Sequence, residues 1–176
     1  MDKKQENNFA FIDAANLHKG IKSLHWQLDY QRFRIWLTEK YSVSTAYLFI
    51  GLIPKYKDLY TILQEAGFTL VYKEVVYDGE GKPKGNCDAD LVLKVTQDTY
   101  ENAFSKAVIV TSDGDYAGLI KFLLEKSKLE IVLSPAKVKK CSILIKRTGA
   151  RISYLNDQKS ILETRKEKTP DKDETL

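Results

Sequence analysis

Phe9-Ala10-Phe11-Ile12-Asp13-Ala14-Ala15-Asn16 is the stretch that decides the fold. Four apolar residues in a row, too few for a helix, read as a buried strand that ends on an acid. Leu17, Ile21 and Leu24 then recur at helical spacing, so the chain passes from strand to helix with hardly a loop between.

The same alternation continues outward. Asp29 can cap a helix reaching about residue 39, with Phe33, Trp36 and Leu37 on its apolar face. Residues 44–50 read as a strand and 56–66 as a helix that Gly67 terminates. A strand over 68–76 follows, and then a loop over 77–86 marked by three glycines and Pro83. Residues 88–102 return to helix, with Leu91, Val92 and Val95 facing inward. Ala107-Val108-Ile109-Val110 lies within a buried strand over 106–111, a helix covers 115–126, and a strand covers 129–133. A short helix over 138–148 and a short strand over 151–155 complete the pattern. Alternating strands and helices predict an α/β fold with a central, mostly parallel sheet covered on both faces. The expected organisation is a polar segment over 1–8, one domain over 9–163, and a polar tail over 164–176 that is expected to be disordered.

Composition excludes several classes. The 176 residues are 43% hydrophobic and 30% charged, the balance of an ordinary soluble protein. No apolar run approaches the roughly 20 residues that a membrane-spanning helix needs. The first eight residues are polar, without the apolar core of a signal peptide, so a cytoplasmic location is expected. Cys87 and Cys141 are the only cysteines, too few for a disulfide framework or a zinc site. His18 and His25 read as structural or surface residues. Trp26 and Trp36 read as core. The net charge of +4 permits a nucleic-acid patch without requiring one.

The chemistry concentrates in three acidic signatures. The first is Asp13 with Asn16, the second Lys84-Gly85-Asn86-Cys87-Asp88-Ala89-Asp90, the third Thr111-Ser112-Asp113-Gly114-Asp115. In an open parallel sheet, sites form at the carboxyl ends of strands where the strand order reverses. Asp13 and Asp113 both follow apolar strands, so the fold can gather the signatures at one edge. Clustered carboxylates repel unless a cation or a shared proton offsets the repulsion. Oxygen-rich sites suit hard divalent ions such as magnesium or manganese, which activate water against phosphate esters.

Three separate helix caps would account for the same acids. Redundancy argues for the cluster instead: Asp88 with Asp90, and Asp113 with Asp115, supply two carboxylates where one cap suffices. Gly114 also allows a sharp turn or a close approach. A phosphatase of haloacid-dehalogenase type would want a second aspartate two residues after the first, where this chain has Ala15. A dinucleotide-binding fold would want a glycine-rich turn after the first strand.

Ile12-Asp13-x-x-Asn16-Leu17, Lys84-Gly85-Asn86-x-Asp88 and Thr111-Ser112-Asp113-Gly114-Asp115-Tyr116, in this order and spacing, resemble the NYN family of PIN-like nucleases in its bacterial LabA-like branch. Trp26-x-Leu28-Asp29 is similar to a recurring feature of that branch. The resemblance runs from about residue 9 to 155. It implies a Rossmann-like PIN fold with strand order 3-2-1-4-5, a carboxylate pocket for Mg2+ or Mn2+, and endoribonuclease activity on RNA, with single-stranded RNA the expected form. Carried over by position, Asp13, Asp88, Asp113 and Asp115 would be catalytic and metal-binding, and Asn16 would support the first of them or contact substrate. Asp90 has no certain counterpart. Pairing of two copies is a further expectation. The alternative is a non-catalytic RNA-binding or regulatory module that keeps the fold.

Substrate needs positive charge beside the acids. Lys19 and Lys22 follow Asn16, Lys82 and Lys84 precede Asp88, and Lys137, Lys139, Lys140, Lys146 and Arg147 form a further basic stretch. Such lysines give salt-dependent phosphate contacts, or are simply solvated. Tyr116, next to the third signature, is expected to stack on a base.

Overall fold

The computed structural model describes residues 6–77, 79–81, 83–84 and 87–165, those at 83–84 by their backbone only. Strand β1 (Asn8–Asp13) leads into α1 (Ala14–Ser23), then α2 (Tyr30–Tyr41), β2 (Val43–Leu52), α3 (Lys57–Glu65) and β3 (Thr69–Glu74). A small antiparallel pair, β4 (Val76–Tyr77) and β5 (Pro83–Lys84), precedes α4 (Asp88–Tyr100) and β6 (Ala107–Val110). The chain continues through α5 (Ala117–Glu125), β7 (Leu129–Ser134), α6 (Ile143–Lys146), β8 (Ile152–Tyr154) and α7 (Lys159–Leu162).

Six strands form one sheet in the order β3-β2-β1-β6-β7-β8, and every pairing in it is parallel. This differs from the expected order 3-2-1-4-5. Two short strands intervene where a plain loop was expected over 77–86, and β8 adds a sixth strand at the edge. The hairpin is too short to carry a periodic signal, and β8, only three residues long, is paired to β7 by its register of Val132 with Ile152.

Alternation along β1 divides the core. Ala10 and Ile12 face a cluster with Leu17, Phe33, Leu37 and Leu63 from α1, α2 and α3. Phe11 faces the opposite cluster with Leu91, Val95, Ile120 and Leu123 from α4 and α5. All of these side chains are buried, which is why a run of uninterrupted apolar residues suits the central strand. Trp26 and Trp36 are buried in the first cluster, as their size predicts.

Local signals set several boundaries. Asp29 Oδ1 accepts from the Arg32 amide at 3.0 Å and caps α2. Gly67, at φ 93°, takes the left-handed turn after α3. The helix expected over 138–148 is broken. A 3-10 turn (Val138–Lys140) precedes α6, and Ser142 interrupts by accepting from the Leu144 amide at 3.2 Å. The helix expected over 115–126 likewise begins as a 3-10 turn (Gly114–Tyr116). The tail expected beyond residue 164 lies, from 166, outside the described residues. Among the described residues no helix is long and apolar enough to cross a membrane.

Candidate functional site

The chain builds β1, β2 and β3 in one direction and then returns to the other side of β1 to lay down β6. Strand order therefore reverses between β1 and β6, where loops diverge and leave a crevice at the carboxyl ends. Asp13 is the last residue of β1, and Asp113 lies just past β6. Asp88, the first residue of α4, joins them, and all three line one cavity of about 650 Å³.

Asp13 has two roles. Its Oδ1 accepts from the Asn16 amide at 3.0 Å and caps α1, while its side chain, only 7% exposed, faces the other acids. Burial raises its carboxyl above the ordinary value, and the charges of Asp88 and Asp113 add to that, against the opposing Asn16 amide and Tyr116 hydroxyl. Asp113 is also a cap, its Oδ1 accepting from the Asp115 amide at 3.1 Å. The capping account is thus correct for one oxygen of each. It fails for Asp88, since the residue before α4 is Cys87, which makes no side-chain cap.

Asn16 binds the first signature to the third. Its Oδ1 accepts from the Ser112 amide at 2.8 Å and from Ser112 Oγ at 2.9 Å. Ser112 was not singled out in the sequence; its place inside the third signature was the available signal. Gly114 is required by close approach: a Cβ there would collide with Ser142 Oγ and meet Leu144 Cδ1 at 3.1 Å. The Ser142 amide in turn donates to the Ser112 carbonyl at 3.1 Å, so α6 is docked on the third signature.

Tyr116 departs from expectation. Its ring is 1% exposed, within the core with Phe11 and Leu91, and so offers no face to a base. The hydroxyl reaches Asp88 Oδ1 at 2.5 Å and Asp13 Oδ2 at 3.3 Å. Burial, then the hydrogen bond to Asp88 and the charge of Asp13, raise this phenol so far that it stays protonated. Cys87 lines the same cavity, and burial followed by the charges of Asp13, Asp90 and Asp88 pushes its thiol up to about 11.

The remaining candidates are dispersed. Asp115 is exposed and does not line the cavity. Asp90 pairs with Lys73 on β3 at 2.9 Å. Lys19 and His18 are exposed on α1 and line the cavity mouth. The Lys82 and Lys84 side chains lie outside the described residues. Lys137, Lys139, Lys140 and Arg147 are exposed, whereas Lys146 donates to the Val138 carbonyl at 2.5 Å.

The donor set of Asp13, Asp88 and Asp113 fits a hard divalent ion, because it is all oxygen and its mutual repulsion is relieved by a cation. Among the described residues, however, no three aspartate, glutamate, histidine or cysteine side chains close into a ligand shell. The Tyr116 hydroxyl occupies the space where two of those carboxylates would otherwise meet.

A six-stranded parallel sheet with acids at its switch point defines a doubly wound α/β protein with an acidic crevice. The chain belongs to the NYN domain family, a family of PIN-like nucleases that matches residues 9–152. Comparison with curated proteins gives no match. Among solved structures, the chain is similar to the crystal structure of a protein of unknown function from Vibrio parahaemolyticus, with a TM-score of 0.68 and 18% identity. That likeness spans 89% of this chain and 98% of the other, and at such identity it is one of fold.

Proposed function

We propose that the protein is a metal-dependent endoribonuclease of the LabA-like branch of its family, acting in the cytoplasm on single-stranded RNA. The observation that carries this reading is the meeting of Asp13, Asp88 and Asp113, from three distant parts of the sequence, in one cavity at the switch point. The branch rests on the three signatures together with Trp26-x-Leu28-Asp29.

Asp13, Asp88 and Asp113 would hold magnesium or manganese, with Asp115 an outer carboxylate able to orient water. When bound, the ion supplies a Lewis acid for the phosphate and lowers the pKa of water. The chain's own residues do the rest. Asn16 holds Ser112, and through it the third signature, at a fixed distance from β1. Tyr116 donates a hydrogen bond to Asp88 that restrains carboxylate repulsion. Lys19 at the mouth and the exposed lysines of 137–140 offer charge to the flanking phosphates.

The test is cleavage of single-stranded RNA and DNA with manganese, magnesium or chelator, run beside Asp113→Asn, with manganese binding measured by calorimetry. Metal-dependent RNA cutting, lost in the variant together with the binding heat, is the expected result. A second reading, an RNA-binding module that cuts nothing, is favoured by the Tyr116 clasp between Asp13 and Asp88. RNA binding with no cutting under any ion would establish it.

A further inference from the structure

The cavity extends well beyond the carboxylates. Its other side runs along the end of β2 to α3 and is walled by Leu48, Ile50, Ile53, Tyr56, Leu59 and Tyr60. Hydrolysis of a phosphodiester needs polar groups and water; it does not call for an aliphatic and aromatic chamber. Leu48 and Ile50 flank Phe49, the register partner of Asp13, and point to the opposite face of the sheet from it, so the cavity reaches them from the acids over the strand ends.

The chamber is preorganised. Tyr60, only 6% exposed, accepts from the Ile53 amide at 2.8 Å and has the Gly51 carbonyl at 2.9 Å, so its hydroxyl is committed and its ring is held. Tyr56 remains 43% exposed at the lip, with Lys55 Nζ 4.9 Å from its ring centre. Lys19 and His18 stand at the mouth on α1. An acidic wall, an apolar interior and a basic lip match the successive parts of a nucleic-acid strand: phosphate at the acids, base in the chamber, next phosphate at Lys19. Pockets of this kind bind flat apolar groups through their walls and orient them with a few polar atoms.

We propose that this chamber is a nucleobase subsite, which takes one unstacked base beside the scissile phosphate and sets base preference. The proposal rests on the nuclease reading for its phosphate, but base binding can be measured without cleavage. The occupant is a base of a single strand, because a paired base presents no free face to such walls.

The experiment uses Asp113→Asn protein, which is expected not to cut, and three labelled single strands of equal length: oligo(A), oligo(U), and an abasic strand with the same number of phosphates. Fluorescence anisotropy should show at least one base-bearing strand binding about tenfold tighter than the abasic one, within the roughly 5- to 150-fold range expected for one stacked base. Leu59→Trp, which fills the chamber, should erase that difference and leave abasic binding unchanged. Tyr56→Ala, at an exposed position where folding is not at risk, should reduce it severalfold. Equal binding of abasic and base-bearing strands, or a preference that survives both variants, overturns the subsite. If wild-type protein then cuts both kinds of strand equally, the nuclease reading stands alone. If no strand is ever cut but the preference is present and lost in Leu59→Trp, the subsite stands and the nuclease reading falls. Absence of binding to every strand overturns the subsite, and overturns the nuclease reading as well only if the wild type cuts none of them.

Discussion

The hydroxyl of Tyr116 lies 2.5 Å from Asp88 Oδ1 and 3.3 Å from Asp13 Oδ2. One phenolic proton serves two carboxylates. The short contact to Asp88 takes the larger share of that proton, and the longer one leaves Asp13 the weaker bond. That bond favours the ionised Asp13 carboxyl, but burial and the charges of Asp88 and Asp113 outweigh it together with the Asn16 amide, and the carboxyl stands raised. The first and second signatures, 75 residues apart in sequence, are thus joined through a residue of the third.

Tyr116→Phe removes the shared proton and keeps the ring in the core. Without metal the variant should lose about 1.5–3 kcal/mol, the worth of a hydrogen bond to a charged group. Saturating manganese should then raise its melting temperature by more than it raises that of the wild type, because the ion relieves a repulsion that the phenol no longer offsets. A smaller manganese shift in the variant would mean that the phenol helps to hold the ion instead of standing in for it.

Asp13 separates capping from charge. Asparagine caps a helix about as well as aspartate, so Asp13→Asn should melt at or above the metal-free wild type while losing the raised, mutually repelled carboxylate. Asp13→Ala should lose about 1 kcal/mol more, from the unsatisfied Asn16 amide. Both should lose metal-dependent cleavage by at least about 100-fold, beyond what supporting residues around a metal ordinarily contribute. Paired urea melts and rate measurements check this: equal stability of the two variants would remove the capping role, and cleavage surviving in both would remove the metal role.

The parallel α/β sheet was legible because burial on both faces leaves a sequence trace. Phe11 and Ile12 point into opposite clusters, and only a central strand tolerates that. The gathering of Asp13 and Asp113 followed from strand ends. Residues whose roles depend on distant partners were not legible. Asp90 looked like a companion of Asp88, yet it pairs with Lys73 across the chain. Tyr116 follows an acidic turn and looked exposed, but the 3-10 turn of Gly114–Tyr116 carries its ring inward. The break before α6 depends on Ser142 docking against Gly114, a tertiary contact that no local period encodes. The apolar chamber was hidden for the same reason, since Tyr56, Leu59 and Tyr60 carry the same helical pattern whether they wall a cavity or pack a core.

Gly114→Ala tests that docking. The added methyl meets Ser142 and Leu144, so α6 must move away from the third signature, at about 1–3 kcal/mol for an overpacked site. Ser142→Ala alone should lose about 1 kcal/mol through its cap on the Leu144 amide. Combined, the two should cost less than their sum, because removal of the Ser142 hydroxyl relieves the worst collision. Strict additivity in a urea double-mutant cycle would show that Gly114 is not held by that contact.

The Lys94–Asp98 pair gives stability a pH dependence remote from the acidic site. Asp98 is 2% exposed, and its Oδ1 lies 2.7 Å from Lys94 Nζ. Burial lowers the Lys94 ammonium, but the hydrogen bond and charge of Asp98 outweigh it, so its folded pKa stands above the ordinary 10.5. A base whose folded value is raised contributes stability fully below the unfolded value, and that contribution fades as pH rises through the folded one. Wild-type protein should therefore lose stability more steeply above about pH 10.5 than Asp98→Asn, which removes the partner charge. Lys94→Met should be the more damaging change near neutrality, at roughly 1–3 kcal/mol. That is below the usual cost of orphaning a buried charge because the Lys94 side chain is 34% exposed and solvent screens the pair. Urea midpoints for the three proteins between pH 8 and 12 decide the matter, and parallel alkaline slopes in wild type and Asp98→Asn would show that the pair does not couple to folding.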